Sequence, residues 1–323
     1  DRTGAFTISA WIKRIDRDYS IISKRDAAYS EGYDITLLNN NRLEMSWING
    51  SGTQDIQTSV QIPENEWHQF AFTYDGSSEA RVYIDGVLDN TETLSAPVIT
   101  EQSFLIGAAD GSAPADFYEG TLDEVRVWDI ALTEDQVRFI MNQEIEQNGD
   151  LTVAGKIVPT TISKNEFSTT TWSSLAGYFP MNRYTFTNVK DESDNGLVAA
   201  IKNLETVDFQ TAPLPYVSAS NGAWTNSNTW TNGGTQELPN AQSISDNSLT
   251  IDWNIVQTTH NITTNANNTV LSLDIQSAEL TIDNDSKIEV SHYLKLDGVM
   301  DLVGESQLIQ TENSDLDTNS SGT

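Results

Sequence analysis

The 323-residue sequence has no cysteine, three histidines, and 17 lysines and arginines set against 47 aspartates and glutamates. Each shortage excludes some chemistry. Without cysteine there can be no disulfide, thiolate metal ligand or thiol nucleophile. The formal net charge of −30 gives a surface that repels nucleic acid and anionic membranes and attracts divalent cations. Neither nucleic-acid recognition nor membrane insertion is expected. No apolar run reaches transmembrane length, nothing reads as a signal peptide, and the chain starts at Asp1, as expected of an excerpt from a longer processed protein. His68, His260 and His292 are scattered through β-like segments, without the spacing of a Ser-His-Asp triad or a zinc site. His68 shares a strand face with Phe70, Phe72 and Tyr74, and is read as structural. What is present points to a folded protein: 37% hydrophobic residues, with eight Trp, ten Tyr and ten Phe. The length suits roughly two domains, each able to bury its own core.

From Asp1 to Gly111 short strand-like runs are separated by Asn, Gly, Ser and Asp. FTISAWIK alternates, with Phe6, Ile8, Ala10 and Ile12 on one face. In RVYIDGVL, Asp85-Gly86 suits a type I′ hairpin turn. The stretch EGTLDEVRVWDIALTEDQV predicts a strand, Leu122 to Trp128, followed by an amphipathic helix beginning at Thr133, with Gln136 as its capping-box partner. That helix is expected to clasp the edge of the sandwich. Simple alternation puts Asp123 on the side of Val125 and Val127, where an acid must meet backbone donors, a hydroxyl or a cation.

This stretch resembles the closing signature of the laminin-G-like, concanavalin A-like jelly-roll family, G-x-(I/L)-D-E-V-R-(I/V) followed by A-L-(S/T)-x-x-(E/Q)-(I/V). The order FTISAWIK, NEWHQFAFTYDGSSEARVYIDGVL, FLIGAAD and YEGTLDEVRVW is similar to the family element by element, and the resemblance covers about two-thirds of the chain. From Ser174 onward, SLAGYFPMNRYTFTNVKDESDNG resembles a returning final strand and its turn, with Asp194 in place of the family's glycine. The chain opens on an inner strand, so this returning segment is expected to supply an edge element that is otherwise missing. The fold class read here is all-β: a concanavalin-like sandwich with one short helix, then a parallel β-solenoid. Its expected bounds are 1–212 for the jelly roll, with an insertion at about 147–172, a Pro-rich linker at 213–222, and a solenoid-like region at 223–323. The solenoid rests on apolar pairs that recur 20 residues apart, Leu280 to Met300 and Ile288 to Leu308. GAWTNSNTWTNGG resembles W-x5-W starts that precede solenoids in Bacteroidota surface proteins, and its tryptophans are read as capping the first coil.

Glycosidases of jelly-roll architecture carry paired carboxylates in an E-x-D-x-x-E strand, and that string does not occur here, so no catalytic residues are expected. The resemblance implies a structural calcium. If the returning segment approaches the LDEVRVW strand, Asp123, Asp191 and Asp194 converge into hard-oxygen ligands; alternatively Asp123 caps local amides while Asp191 and Asp194 form an Asx turn. For ligand contact the loops offer Tyr33, Trp47, Asn49, Asp110 and Asp116. The function implied is an extracellular adhesion or binding module of a large bacterial cell-surface protein, engaging a glycan or glycoprotein, with further domains on the same polypeptide. A purely structural adhesin spacer, or a non-catalytic accessory domain of a secreted polysaccharide-degrading enzyme, are the alternatives.

Overall fold

The computed structural model describes residues 3–185, 187–202, 211–231 and 237–323. Residues 203–210 of the expected jelly roll and 232–234 of the tryptophan motif lie outside the described residues. The chain divides into two compact units, one of 1–134, 173–210 and 244–246, the other of 135–172, 211–243 and 247–323.

The first unit is an antiparallel sandwich. Its strands are β1 (Phe6–Arg14), β2 (Tyr19–Arg25), β3 (Gly32–Leu37), β4 (Leu43–Asn49), β5 (Gly52–Gln57), β6 (Trp67–Tyr74), β7 (Glu79–Ile84), β8 (Val87–Thr93), β9 (Leu105–Ile106) and β10 (Gly120–Trp128). There follow α1 (Glu134–Met141) and a hairpin of β11 (Ile145–Gln147) with β12 (Val153–Gly155), then β13 (Leu175–Phe179) and the small pair β14 (Asn188–Lys190) and β15 (Val198–Ala200). One sheet runs β13-β10-β1-β6-β7-β8 and the other β5-β4-β3-β2-β9. The returning segment thus supplies an edge strand, with Val125 opposite Phe179. Alternation sends Phe6, Ile8 and Phe72 from one sheet, and Ile35, Met45 and Trp47 from the other, into a single core. Trp47 meets Phe6 and Tyr74 edge-on at 6.0 and 5.6 Å. The turn between β7 and β8 is as expected: Asp85 and Gly86 both adopt positive φ, 51° and 77°, and Ile84 pairs with Val87.

Strand β10 departs from simple alternation. Ser9 of β1 faces Arg126 but Trp11 faces Asp123, so β10 carries an extra residue in this interval. Glu124, at φ 52°, is the bulged position. The inserted residue reverses the parity of everything before it. Leu122 packs on the sandwich core, and Asp123 is carried to the face of Trp11, away from Val125 and Val127. The expectation that Asp123 shares the valine side is therefore corrected.

The second unit is built on a parallel solenoid of about three turns. It comprises β16 (Tyr216–Val217), β17 (Gly222–Ala223), β18 (Ile255–Thr258), β19 (Ile262–Thr264), β20 (Asn268–Ile275), β21 (Glu279–Ile282), β22 (Lys287–Leu296), β23 (Val299–Leu302), β24 (Gln307–Gln310) and β25 (Asp315–Leu316). One parallel sheet runs β16-β18-β20-β22-β24, with β25 also on β22, and a second runs β17-β19-β21-β23. Leu280 pairs with Met300 and Ile288 with Leu308, the pairings anticipated from the repeat. Stacking leaves backbone amides at the corners, and side chains of the preceding coil accept them. Asn221 Oδ1 accepts from Asn261 N, Asn261 Oδ1 from Glu279 N, Asn267 Oδ1 from Lys287 N, and Asp285 Oδ1 from Glu305 N, at 2.8–3.1 Å. This explains the Asn- and Asp-rich composition of the region. Trp224 and Trp230, 5.2 Å apart and edge-on, are buried in the solenoid core, as their reading as a cap requires.

Two expected boundaries change. The segment 213–222 is no free linker, because Tyr216 pairs with Val256 and Gly222 with Ile262 as the first rungs of the solenoid. Nor does α1 group with the sandwich: residues 135–172 belong to the second unit. Phe139 packs on Phe167 and on His292 of β22, and Arg138 lies 3.9 Å over the ring of Trp253. The helix and the expected insertion thus cover part of the solenoid.

Candidate functional site

The outer side of the five-stranded sheet assembles a cluster of hydrogen-bonding groups, buried at Ser20, Asp34 and Ser46 and open to solvent at Asp55 and Asp116. With Ile35, Met45 and Ile56 turned inward, the pairing register places Asp34, Ser46 and Asp55 in one outward row and Thr36, Glu44 and Gln57 in the next. Arg25, at the end of β2, is the hub. Its Nε donates to Asp34 Oδ2 at 2.5 Å, its Nη2 lies 3.4 Å from Asp116, and its guanidinium stands 5.1 Å from the centre of the Tyr29 ring. Asp34 Oδ1 accepts from the Ser20 hydroxyl, and the Tyr29 hydroxyl bonds Ser46 Oγ at 2.6 Å. Burial pushes the Asp34 carboxyl above its ordinary range, against the opposing pull of Ser20 and Arg25, and also raises the Tyr29 phenol. Glu44, which accepts from Gln57 Nε2 at 2.6 Å, is likewise raised by partial burial.

Two loops complete this face, and local caps fix both. Asp26 accepts from Ser30 N, Ser30 Oγ and Glu31 N, ordering the turn that carries Tyr29. Asp110, at φ 59°, accepts from Ser112 N and Oγ, which hold its carboxyl below the ordinary range. Reciprocal bonds between Ala109 and Ala115 close the second loop, and Ser20 N donates to Asp116 O at 3.0 Å. Asp116 is thereby held beside Arg25 with 59% of its side chain exposed, and Phe117, bridged to Ser20, is 52% exposed. Chemically the face offers carboxylate and hydroxyl groups, one guanidinium and an aromatic surface open to solvent.

The residues expected to contact ligand are dispersed. Asp116 lies in the cluster and Asp110 shapes its loop. Trp47 does not serve: it is 1% exposed, donates from Nε1 to Ser95 O at 2.8 Å, and is fixed in the core by its register with Tyr33. Tyr33 packs partly on that core, and Asn49 Oδ1 caps the β4–β5 turn by accepting from Ser51 N. Arg25, Tyr29 and Asp34 were missed; their signal was the outward parity of YDITLL following the turn-rich RDAAYSEG.

The carboxylates expected to hold calcium do not fit that ion. Asp191 takes four protein donors, from Tyr178 N, Ser193 N, Ser193 Oγ and Leu197 N, at 2.7–3.3 Å. Donors occupy the lone pairs a cation would need. Asp123 Oδ1 accepts from Glu124 N at 2.9 Å, across the bulge. Among the described residues no three His, Asp or Glu side chains, Asp194 included, come together to hold a metal. The DEVR signature instead serves packing: Glu124 is buried, ion-paired with Arg126, and accepts from the Tyr178 hydroxyl at 2.9 and 3.0 Å. His68 proves structural, its Nδ1 2.7 Å from Asp85 Oδ2 in a buried pair.

Residues 1–138 match the family model of the concanavalin A-like lectin/glucanases superfamily, Laminin_G_3. The sandwich built by this part of the chain has a concanavalin A-like fold. No curated protein matches the chain. Among solved structures, the chain is similar to a Bacteroides ovatus protein described provisionally as carbohydrate-binding, at 19% identity and TM-score 0.44, over 65% of this chain and 55% of that one. Another is domain 4 of AbnA, an extracellular GH43 arabinanase of Geobacillus stearothermophilus, in complex with arabinotriose: 26% identity, TM-score 0.35, over 42% and 66%. A third is the Ruminococcus gnavus IT-sialidase CBM40 bound to α2,3-sialyllactose: 13% identity, TM-score 0.37, over 42% and 80%. The chain thus spans 55% of the length of the B. ovatus protein. No helix among the described residues is long and apolar enough to cross a membrane.

Proposed function

We propose that the concanavalin A-like domain is a non-catalytic glycan-binding module, and that the chain acts outside a bacterial cell as part of a surface adhesin, with the solenoid as its spacer. The supporting observation is the outer face around Arg25: the exposed carboxylate of Asp116, held by its contact with the guanidinium, adjoins the exposed Phe117 in the same loop, while the buried Asp34 fixes Arg25 in place. Sugars are held by such a pairing of convergent polar groups with an apolar ring face. The lectin superfamily match over 1–138 adds support to this reading of the fold. Parallel coils that contact only their neighbours suit a spacer, since an array of them can lengthen without a new core.

The proposed contact is made directly by side chains of this face, so it should not require calcium. Affinity electrophoresis against a panel of soluble polysaccharides tests the reading. The wild-type chain should be retarded by at least one polysaccharide, equally with and without chelator, and should release no reducing ends. Loss of the Phe117 ring in Phe117→Ala should weaken binding about two- to tenfold, the value of one aromatic contact. Retardation that is unaffected by both Phe117→Ala and Arg25→Ala would place the ligand elsewhere.

A further inference from the structure

We infer that this face selects glycans free of acidic groups and excludes sialylated, uronate-containing and sulfated chains. The inference rests on the glycan reading above and narrows it to a ligand class. An acidic sugar is held most strongly by an uncommitted cation, because a carboxylate or sulfate loses its hydration on binding and a charged donor replaces it better than a neutral one. Arg25 is the guanidinium of this cluster, and its nitrogens are already engaged: Nε with Asp34, Nη1 with the Asp26 carbonyl, Nη2 with Asp116. Freeing it would leave the buried Asp34, whose side chain is 4% exposed, without its counter-ion. The neighbouring ammonium of Lys24 donates to Thr100 O at 2.6 Å.

Asp34 and Asp116 flank this guanidinium, and the outward rows of the same face carry Glu44 and Asp55. Asp55 is two strands from Asp34, a distance of about 10 Å. An anion entering at Phe117 or along the outward rows therefore comes within about one Debye length of several like charges at physiological salt. The net charge of −30 adds a repulsive long-range field. A neutral sugar meets none of this opposition, and its hydroxyls can donate to the outer oxygens of Asp116 and Asp55.

The test uses pairs that differ only in charge: dextran with dextran sulfate, methyl-esterified with de-esterified polygalacturonate, and asialofetuin with fetuin, each titrated at low and high salt. The neutral member should bind at least tenfold more tightly at low salt, with a gap that narrows as salt rises. Asp55→Asn and Asp116→Asn keep the shape of exposed side chains while removing charge. Each should narrow the gap by about two- to fivefold, the range for one screened surface charge, read as the ratio of the two members' affinities, because the amide oxygen of Asn still accepts from a sugar hydroxyl. Equal or tighter binding of the anionic members would overturn the inference while leaving the glycan reading intact. Failure of every neutral and anionic glycan to bind would overturn the glycan reading and the inference together.

Discussion

At the scale of single residues, the first unit depends on charges it has buried and paired. His68 lies against Asp85, with Glu66 at 3.8 Å, and these carboxylates raise its pKa to about 9 despite burial. A folded pKa above the unfolded value of about 6.5 means the pair stabilises fully below the unfolded value and that this stability is lost as pH rises through about 9. Asp85→Asn keeps a residue that tolerates positive φ and removes the charge. It should cost about 1–3 kcal/mol at neutral pH in denaturant titrations, and flatten the decline between pH 7 and 9. Glu124 and Arg126 form a second such pair. Glu124→Ala strands a buried guanidinium and should cost about 3–5 kcal/mol. Tyr178→Phe, which removes one donor and leaves the ion pair, should cost about 1 kcal/mol.

At the scale of elements, the alternation of β1 and the positive-φ turn between β7 and β8 were legible because each is decided within a few residues. The bulge in β10 was not. Glu124 in LDEVRVW has no local feature demanding positive φ; its position is set by pairing with β1, the Arg126 ion pair and the hydroxyl of Tyr178, all requiring folded neighbours. The candidate site shows the same division. The outward parity of Asp34 follows from sequence, whereas its meeting with Arg25 and Asp116 needs the β2–β3 register and a loop more than seventy residues downstream. In the solenoid the 20-residue step was legible, while the side chains that cap neighbouring coils were concealed in a generally polar composition. Asn261→Ala removes the acceptor of the Glu279 amide. It should destabilise the coil by about 1 kcal/mol, with faster hydrogen exchange at Glu279 than in β18 as the readout.

At the scale of the whole molecule, the two units carry histidines with opposite responses to pH. His292 of the second unit lies against Phe139, and burial lowers its pKa to about 4. Its contribution to stability is complete above the unfolded value of about 6.5 and is lost as pH falls through about 4. Calorimetry from pH 4 to 9.5 should therefore show the transition of the sandwich weakening at the alkaline end and that of the solenoid at the acid end. Parallel shifts of both transitions would contradict the assignment. The sequence by itself determined the all-β class, the charge and the coil repeat, because composition and periodicity can be read along the chain without its fold, and the jelly-roll order followed from the family resemblance of its motifs. Tertiary structure alone decided that α1 packs on the solenoid, that Trp47 is core, that Asp123 turns away from the valines, and that Arg25 gathers Asp34 and Asp116. Each of these depends on register or on segments distant in the chain, where one inserted residue changes the face on which a side chain lies.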